Sequence, residues 1–292
     1  MEMLYLHIIL SRQMKLNVLI CTCDKGIERI PAMLLPPRDD VSYVVSMQYT
    51  DESWLQRVPG SLRDRKDVSL HFLPGRGLSR NRNNALAFAD GDVALIADDD
   101  CRYRPSYFDT VLRIYTEHPE VDMAQLRIEP LDTAPVKPYA AYAHPYEKRP
   151  RGMYPTSPEL TLRVAAVKGK LFFNELFGLG SECLPCGEED VFLHDAVQAG
   201  LSVWYFPYVV ASVPGDSTGQ RVYTDRRVMM AQGAVNYYVH GWGAWPRMLK
   251  FAAVGALKRK GNFFVLLSAA CSGILYYKKK ISHEDSLDRR CQ

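Results

Sequence analysis

Apolar residues along the 292-residue chain fall into short runs separated by polar, glycine- or proline-marked breaks. Leu16 to Cys21 is a β-branched apolar run closed by the polar stretch Thr22 to Gly26, which predicts a buried strand followed by a loop. Tyr43 to Ser46, after the Pro36-Pro37 turn, and Val68 to Leu73 predict a second and a third strand. The period then changes: Leu78, Arg82, Ala85, Leu86 and Ala89 recur at helical spacing, with Ser79 as the expected N-cap and Gly91 as the stop. Val93 to Ala97 reads as a fourth, fully apolar strand, and Ser106 to His118 as an amphipathic helix with Tyr107, Val111, Leu112 and Tyr115 inward. Strands alternating with helices predict an α/β fold, a mostly parallel sheet flanked by helices.

The next stretch breaks this rhythm. Residues 130 to 158 hold seven prolines and several tyrosines, which predicts an irregular loop over or beside the sheet, a mobile lid. Order is expected to return at Val164 to Val167, followed by a helix over Glu188 to Ala199 ended by Gly200, and a strand over Val203 to Phe206 stopped by Pro207. No internal repeat occurs. At the start, the apolar run Leu4 to Leu10 is too short for a secretory signal and lacks a small-residue cleavage pattern, so Met14 is a candidate alternative start. Near the end, Phe263 to Tyr277 is largely apolar between Lys258-Arg259-Lys260 and Lys278-Lys279-Lys280. It is shorter than the roughly 20 residues a spanning helix needs, so an interfacial or re-entrant segment is expected.

Composition narrows the function classes. With 47% apolar and 24% charged residues the chain is ordinary globular material, which excludes disorder and low complexity for the whole. The net charge of +3 is unevenly spread: residues 1–245 hold 26 basic and 30 acidic side chains, and residues 246–292 hold 10 basic and 3 acidic. A slightly acidic body makes nucleic acid an unexpected partner, and a basic terminal segment implies a partner of its own. From Pro246 to Lys280 eight basic residues and no acidic one are interleaved with apolar ones, a composition suited to an anionic membrane surface. The alternative is a helical pair packed on the rest of the protein. The expected division is a catalytic domain over 15–245 and a basic membrane-associating helical segment over 246–292. Seven scattered cysteines give no disulfide framework, which points to a reducing compartment. Cys183 and Cys186 form a lone C-x-x-C, and without a second pair or spaced histidines ordinary structural thiols are expected.

Two acidic clusters carry the chemistry. Asp98, Asp99 and Asp100 directly follow Leu95-Ile96-Ala97. Three adjacent carboxylates at the carboxyl end of a buried strand repel one another unless a cation sits there, and in open α/β sheets that edge binds ligands. Hard ions such as Mg2+ or Mn2+ take one or two carboxylates plus substrate phosphates, which suits a diphosphate; a solvated acidic turn is the alternative. The second cluster, Gly187-Glu188-Glu189-Asp190, opens a predicted helix. Carboxylates are favoured there by the macrodipole, as simple capping or as a base kept ionised and able to accept a proton.

Together these segments resemble the family 2 glycosyltransferases, inverting enzymes of the GT-A fold that use nucleotide sugars. The resemblance is carried by Leu16 to Cys21, by Gly77-Leu78-Ser79-Arg80-Asn81-Arg82-Asn83, by Leu95-Ile96-Ala97-Asp98-Asp99-Asp100 and by Gly187-Glu188-Glu189-Asp190-Val191-Phe192-Leu193, over about residues 15 to 215. It implies that Asp98 and Asp100 are the two ends of a D-x-D motif. Asp100 would ligate Mn2+ or Mg2+ bridging the diphosphate, Asp98 would contact the ribose or the metal's water shell, and Asp99 would lie in the same nucleotide-sugar site. Thr22 falls where the loop after the first strand meets the nucleotide base. Arg82 falls where a basic residue holds the nucleotide side, with a helix-surface arginine as the alternative. Asp190 resembles the catalytic base that deprotonates the acceptor hydroxyl, and Glu189 would help hold the acceptor. The implied partners are a nucleotide-sugar donor, a glycan or lipid-linked acceptor and an anionic membrane, with the enzyme cytoplasmic and peripheral at the inner face of the plasma membrane.

Departures from the family pattern are equally specific. Ser46 and Met47 stand where many members place acidic residues that read the base, Val209 to Thr218 lacks the histidine often found near the metal, and Gln-x-x-Arg-Trp of the processive synthases does not occur. Single-sugar addition is therefore expected. Trp242 and Trp245 suit either a sugar ring or a membrane interface. A nucleotidyltransferase also joins an α/β sheet to acidic metal ligands, but Thr22 to Ile30 lacks its glycine-rich phosphate loop. A non-catalytic glycan-binding subunit is the alternative outside enzymes.

Overall fold

The computed structural model describes residues 13–132, 137–215 and 221–288; the run Leu4 to Leu10 lies outside them. Its strands are β1 (Leu16–Cys23), β2 (Val41–Tyr49), β3 (Val68–Pro74), β4 (Val93–Asp98), β5 (Met123–Pro130), β6 (His144–Pro145), β7 (Leu160–Arg163) and β8 (Val203–Val213). The longer helices are α1 (Leu78–Ala87), α2 (Pro105–Glu117), α3 (Glu188–Gln198), α4 (Arg226–His240), α5 (Ala244–Leu257) and α6 (Phe263–Asp288). The strands form one sheet in the order β3-β2-β1-β4-β7-β5-β8-β6. Pairing is parallel through β1, β2, β3 and β4 and between β5 and β8, and antiparallel at β7 and β6, so the sheet is mixed. The chain divides into two compact units: one holds the chain up to Arg76 with Asn81–Phe172 and Ala196–Gly215, the other Gly77–Arg80, Phe173–Asp195 and the chain after Gly215.

The first unit contains the whole sheet. β1 and β4 are buried almost throughout because helices and connections cover both faces, which is why they read as unbroken apolar runs. Val18, Ile20, Val45, Leu95 and Ala97 join one core with Phe108, Val111 and Tyr115 of α2, and Leu112 lies at its half-buried margin.

Several expectations are corrected here. β1 runs on through Thr22 and Cys23, which pair with Met47 and Gln48, and the predicted loop is a 3-10 helix over Asp24–Ala32. α1 begins at Leu78, so Ser79 is not a cap; its hydroxyl donates to the Phe177 carbonyl at 2.7 Å. β8 is not stopped by Pro207: the β5–β8 register jumps between Gln125 and Arg127, and the irregularity absorbs the proline before pairing resumes at Val209. β5 itself was not legible, since Gln125 and Arg127 interrupt its apolar residues. Val164–Val167 is a single helical turn that follows β7.

The expected mobile lid is pinned to the sheet. Glu159 has no exposed surface. Its carboxylate pairs with Lys137 at 2.5 Å and accepts from Tyr139 at 2.5 Å, Gln125 at 2.9 Å and the Thr156 backbone at 3.1 Å. A buried carboxylate with that many partners binds the connection to β5.

The second unit is helical. α4 and α6 touch backbone to backbone: a Cβ at Gly233 would lie 2.0 Å from the Ala270 carbonyl oxygen, and one at Gly273 would lie 1.9 Å from that of Met230. α5 packs Ala244 and Met248 against Ala270 and Ile274. Among the described residues no helix is long and apolar enough to cross a membrane.

Candidate active site

The path through the sheet selects one edge. From β1 the chain lays down β2 and β3 on one side, then crosses back to place β4 on the other side of β1. Strand order reverses between β1 and β4, and a ligand crevice forms at the carboxyl ends of such strands. Cys21 pairs with Asp98, so the acidic run leaves β4 beside the end of β1.

The structure brings Thr22, Arg82, Asp98, Asp99 and Asp100 together at that edge, and each aspartate has a different environment. Asp98 accepts from the Arg82 guanidinium at 3.2 Å. Arg82 is only 1% exposed, which rules out the helix-surface alternative, and it also donates to the Ser157 hydroxyl. A buried guanidinium needs an anion close by, so the pair fixes the first carboxylate. Asp99 accepts from the Thr22 hydroxyl at 2.5 Å and from Arg29. Thr22, expected at the nucleotide base, thus spends its hydroxyl on Asp99. For Asp100, burial and then the adjacent Asp99 charge push the carboxyl above its usual range, against weaker opposing pulls from Arg29 and Arg102. Among the described residues, Asp98 pairs with Arg82 and Asp99 with Arg29.

Packing around the cluster shows what sequence reasoning missed. A Cβ on Gly26 would lie 2.0 Å from Asp99 Oδ2 and 2.2 Å from Thr22 Oγ1, so only glycine admits this approach. A glycine soon after a strand was visible, but nothing in the sequence tied it to Asp99. Arg29 and Ser157 carry no motif and emerge only from the fold. Asn81 clips the ends of β1 and β2 by donating to the carbonyls of Thr22 at 2.9 Å and Ser46 at 3.1 Å. The Ser46 hydroxyl donates to Asn81 at 2.6 Å and accepts from Asn84 at 2.7 Å, and Met47 has no exposed surface. The two positions that depart from the family's base-reading acids are therefore internal. At the far side, the backbone of Arg102 exchanges hydrogen bonds with Ser212 at 2.8 and 2.9 Å. Glu129 beside it accepts from Tyr107 at 2.6 Å and Ser212 at 2.9 Å and pairs with Arg104 at 3.2 Å, which draws its carboxyl below the usual range.

The second acidic cluster lies in the helical unit. Gly187 takes φ +94 immediately before α3, and a Cβ there would meet Val235 at 2.4 Å. This left-handed turn starts the helix with Glu188, Glu189 and Asp190 in its first turn, where the macrodipole favours negative charge. Glu188 is buried, whereas Glu189 and Asp190 are half-buried. Phe192 anchors the helix by stacking on Phe173 with centroids 3.9 Å apart. The cysteines behave as structural thiols: burial pushes Cys21 and Cys186 up to about 12, and no disulfide occurs among the described residues.

Residues 51–176 match the family model described as Glycosyl transferase family 2, a segment that includes Arg82 and Asp98 to Asp100. A curated relative is the glucosyl-dolichyl phosphate glucuronosyltransferase of Haloferax volcanii, 26% identical over 113 residues that cover 37% of this chain and 36% of that protein. The chain thus matches about a third of that relative's length. Crystal structures of S. aureus TarS 1-349, alone and in complex with UDP-GlcNAc, superpose with TM-scores of 0.59 at 16% and 15% identity, over 91% of this chain and 92% of theirs. The complex of the same protein with UDP gives 0.55 at 19% identity, over 83% of this chain and 72% of that one. The segment holding the first acidic cluster thus matches glycosyl transferase family 2, in line with the resemblance read from the sequence, and the chain has the GT-A fold.

Proposed function

We propose that the protein transfers a single sugar from a nucleotide sugar, UDP-linked, to a hydroxyl of a glycan or lipid-linked acceptor, with inversion, in the building of a cell-surface polysaccharide at the cytoplasmic face of the membrane. The observation that carries this reading is the Asp98-Asp99-Asp100 run at the strand-order reversal, with Asp98 and Asp99 each held by an arginine and Asp100 left with an elevated proton affinity. Support for the donor comes from the solved TarS complexes, which hold UDP and UDP-GlcNAc. The glucosyl-dolichyl phosphate in the name of the Haloferax volcanii relative supports a lipid-linked acceptor here.

Carboxylate oxygens at a strand end, one of them desolvated, fit a hard divalent ion such as Mn2+ or Mg2+. Among the described residues no three His, Cys, Asp or Glu side chains are grouped as a complete cage. Asp100, with Asp98, would be the protein ligands, and diphosphate oxygens and water would complete the shell. When bound, the ion offsets the charge that builds on the departing nucleoside diphosphate. The chain's own residues do the rest. Arg82 and Arg29 hold Asp98 and Asp99 in fixed positions, so the carboxylates need no rearrangement when the diphosphate arrives. Asp190 takes the proton of the acceptor hydroxyl as its oxygen attacks the anomeric carbon opposite the leaving nucleotide, and Glu189 holds the acceptor.

A thermal-shift screen of nucleotide sugars with and without Mn2+, followed by an assay of UDP release, tests this. Asp190→Asn is expected to keep the metal-dependent shift and lose transfer, and Asp100→Asn to lose both. Full transfer by either variant overturns the assignment.

A further inference from the structure

The hairpin between α5 and α6 plays no part in the transfer reading, yet it concentrates exposed apolar and cationic groups at one corner of the helical unit. Leu257 is 89% exposed, Phe264 75% and Val265 55%. Between the first two lie Lys258, Arg259 and Lys260, all exposed. No acidic residue occurs from Pro246 to Lys280.

This corner is a built structure. α5 closes with the Lys258 N–H donating to Val254 at 3.0 Å, Arg259 to Ala256 at 3.0 Å and Lys260 to Gly255 at 2.8 Å. Asn262 then caps α6, its side chain accepting from the Phe264 N–H at 2.9 Å. Leu266 is buried against Gly255, where a Cβ would come within 2.5 Å of Leu266 Cδ1. The apolar tips are therefore held outward while their neighbour is held inward. Arg259 also takes φ +54, the left-handed conformation in which glycine is the default after a helix. An arginine kept in that strained position, on an exposed corner, is an outlier that asks for a use.

We propose that this corner docks the protein on an anionic phospholipid bilayer, with Leu257, Phe264 and Val265 entering the interface and Lys258, Arg259 and Lys260 meeting the lipid phosphates. Charge decides among the occupants. A second copy of the chain would bring the same three cations into a self-complementary contact, where they repel. A nucleic acid would use the cations and leave the apolar tips in water. An anionic lipid surface uses both, since apolar insertion and electrostatic attraction add at the interface. The inference goes beyond the transfer reading and stands on the helical unit alone.

Co-sedimentation of the full chain with vesicles of phosphatidylcholine, alone or mixed with phosphatidylglycerol, tests it. Binding is expected to the mixed vesicles only and to weaken with salt. Lys258→Ala, Arg259→Gly and Lys260→Ala are each expected to weaken it about fivefold, and the three together on the order of a hundredfold. Leu257→Ser with Phe264→Ser is expected to weaken it at unchanged charge. Arg259→Gly relieves the backbone, so it should bind less while melting no lower than the parent, which separates docking from folding. Equal binding to both vesicle types, no binding to either, indifference to the triple change, or tighter binding to a DNA duplex or to itself each overturn the proposal. UDP binding measured on the same variants should be unchanged, so failure of docking and failure of the transfer reading are read separately.

Discussion

Replacing Gly26 by alanine probes the packing of the acidic cluster with a single methyl group. The backbone at Gly26 has no left-handed φ, so alanine brings no conformational strain and the whole effect comes from contact. The new Cβ would sit 2.0 Å from Asp99 Oδ2 and 2.2 Å from Thr22 Oγ1. Thr22 is only 3% exposed and is itself paired in β1, with its hydroxyl two bonds from the strand backbone, so it has nowhere to go. Asp99 can swing away only by giving up Thr22 and Arg29. Overpacking costs about 1–3 kcal/mol, and the lost hydrogen bond to a charged group costs about 1.5–3 kcal/mol. Allowing for overlap, a loss of about 2–4 kcal/mol is expected, which lowers Tm by roughly 3–7 °C in a protein of this size. Displacing Asp99 also disturbs its neighbours, so turnover should fall about a hundredfold. Gly60→Ala is the control, because nothing lies within 4 Å of its Cβ position and no left-handed φ is involved; it is expected to be neutral. Differential scanning fluorimetry and UDP release read both effects. A Gly26→Ala protein with parental Tm and turnover would refute the packing argument and the arrangement of Asp99 with it.

Other outcomes follow from the same interactions. The Asp100 carboxyl holds its proton to higher pH in the fold than in the unfolded chain, so its contribution to stability is full below about pH 3.9 and is lost as pH rises through the folded value. Asp100→Asn should therefore melt higher than the parent in metal-free buffer, by a margin that grows with pH across that range, while losing any stabilisation by Mn2+; a lower Tm at neutral pH would contradict this. Gly233→Ala and Gly273→Ala each gain about 1 kcal/mol of helix propensity but drive a methyl into a facing backbone carbonyl. Each should cost at least about 2 kcal/mol net by denaturant titration, and a stabilised variant would show that α4 and α6 do not touch as described. Glu159→Gln removes the buried carboxylate that pairs with Lys137 and accepts from Tyr139 and Gln125, and should cost about 3–5 kcal/mol, visible as a lower Tm and faster proteolysis between residues 137 and 159.

Sequence made the covered strands legible because burial on both faces leaves an unambiguous apolar run: β1, β2 and β4 were readable within a few residues. β5 was hidden by Gln125, whose amide is spent inside the protein on Glu159, so a polar letter marked a buried position. β8 was cut short because a proline normally ends a strand, and only the local register jump shows how Pro207 is carried. Among the candidate site residues, Asp98 to Asp100 and Asp190 stood out because clustered carboxylates are costly without a reason. Gly26, Arg29 and Ser157 could not be found, since their significance is a distance to Asp99 or Arg82 across a long stretch of chain. Ser79 was read for the wrong partner: a serine at a helix start suggests a cap, and here its hydroxyl reaches Phe177 instead.

The aspartates at the end of β4 are expected to hold a nucleoside diphosphate through a divalent ion. Calorimetric titration of UDP into the protein, with Mn2+ and again with EDTA, on the parent and on Asp100→Asn and Asp190→Asn, measures this. Mn2+-dependent binding in the parent and in Asp190→Asn, lost with EDTA and in Asp100→Asn, is the predicted result. UDP binding that is indifferent to both EDTA and Asp100→Asn would contradict it.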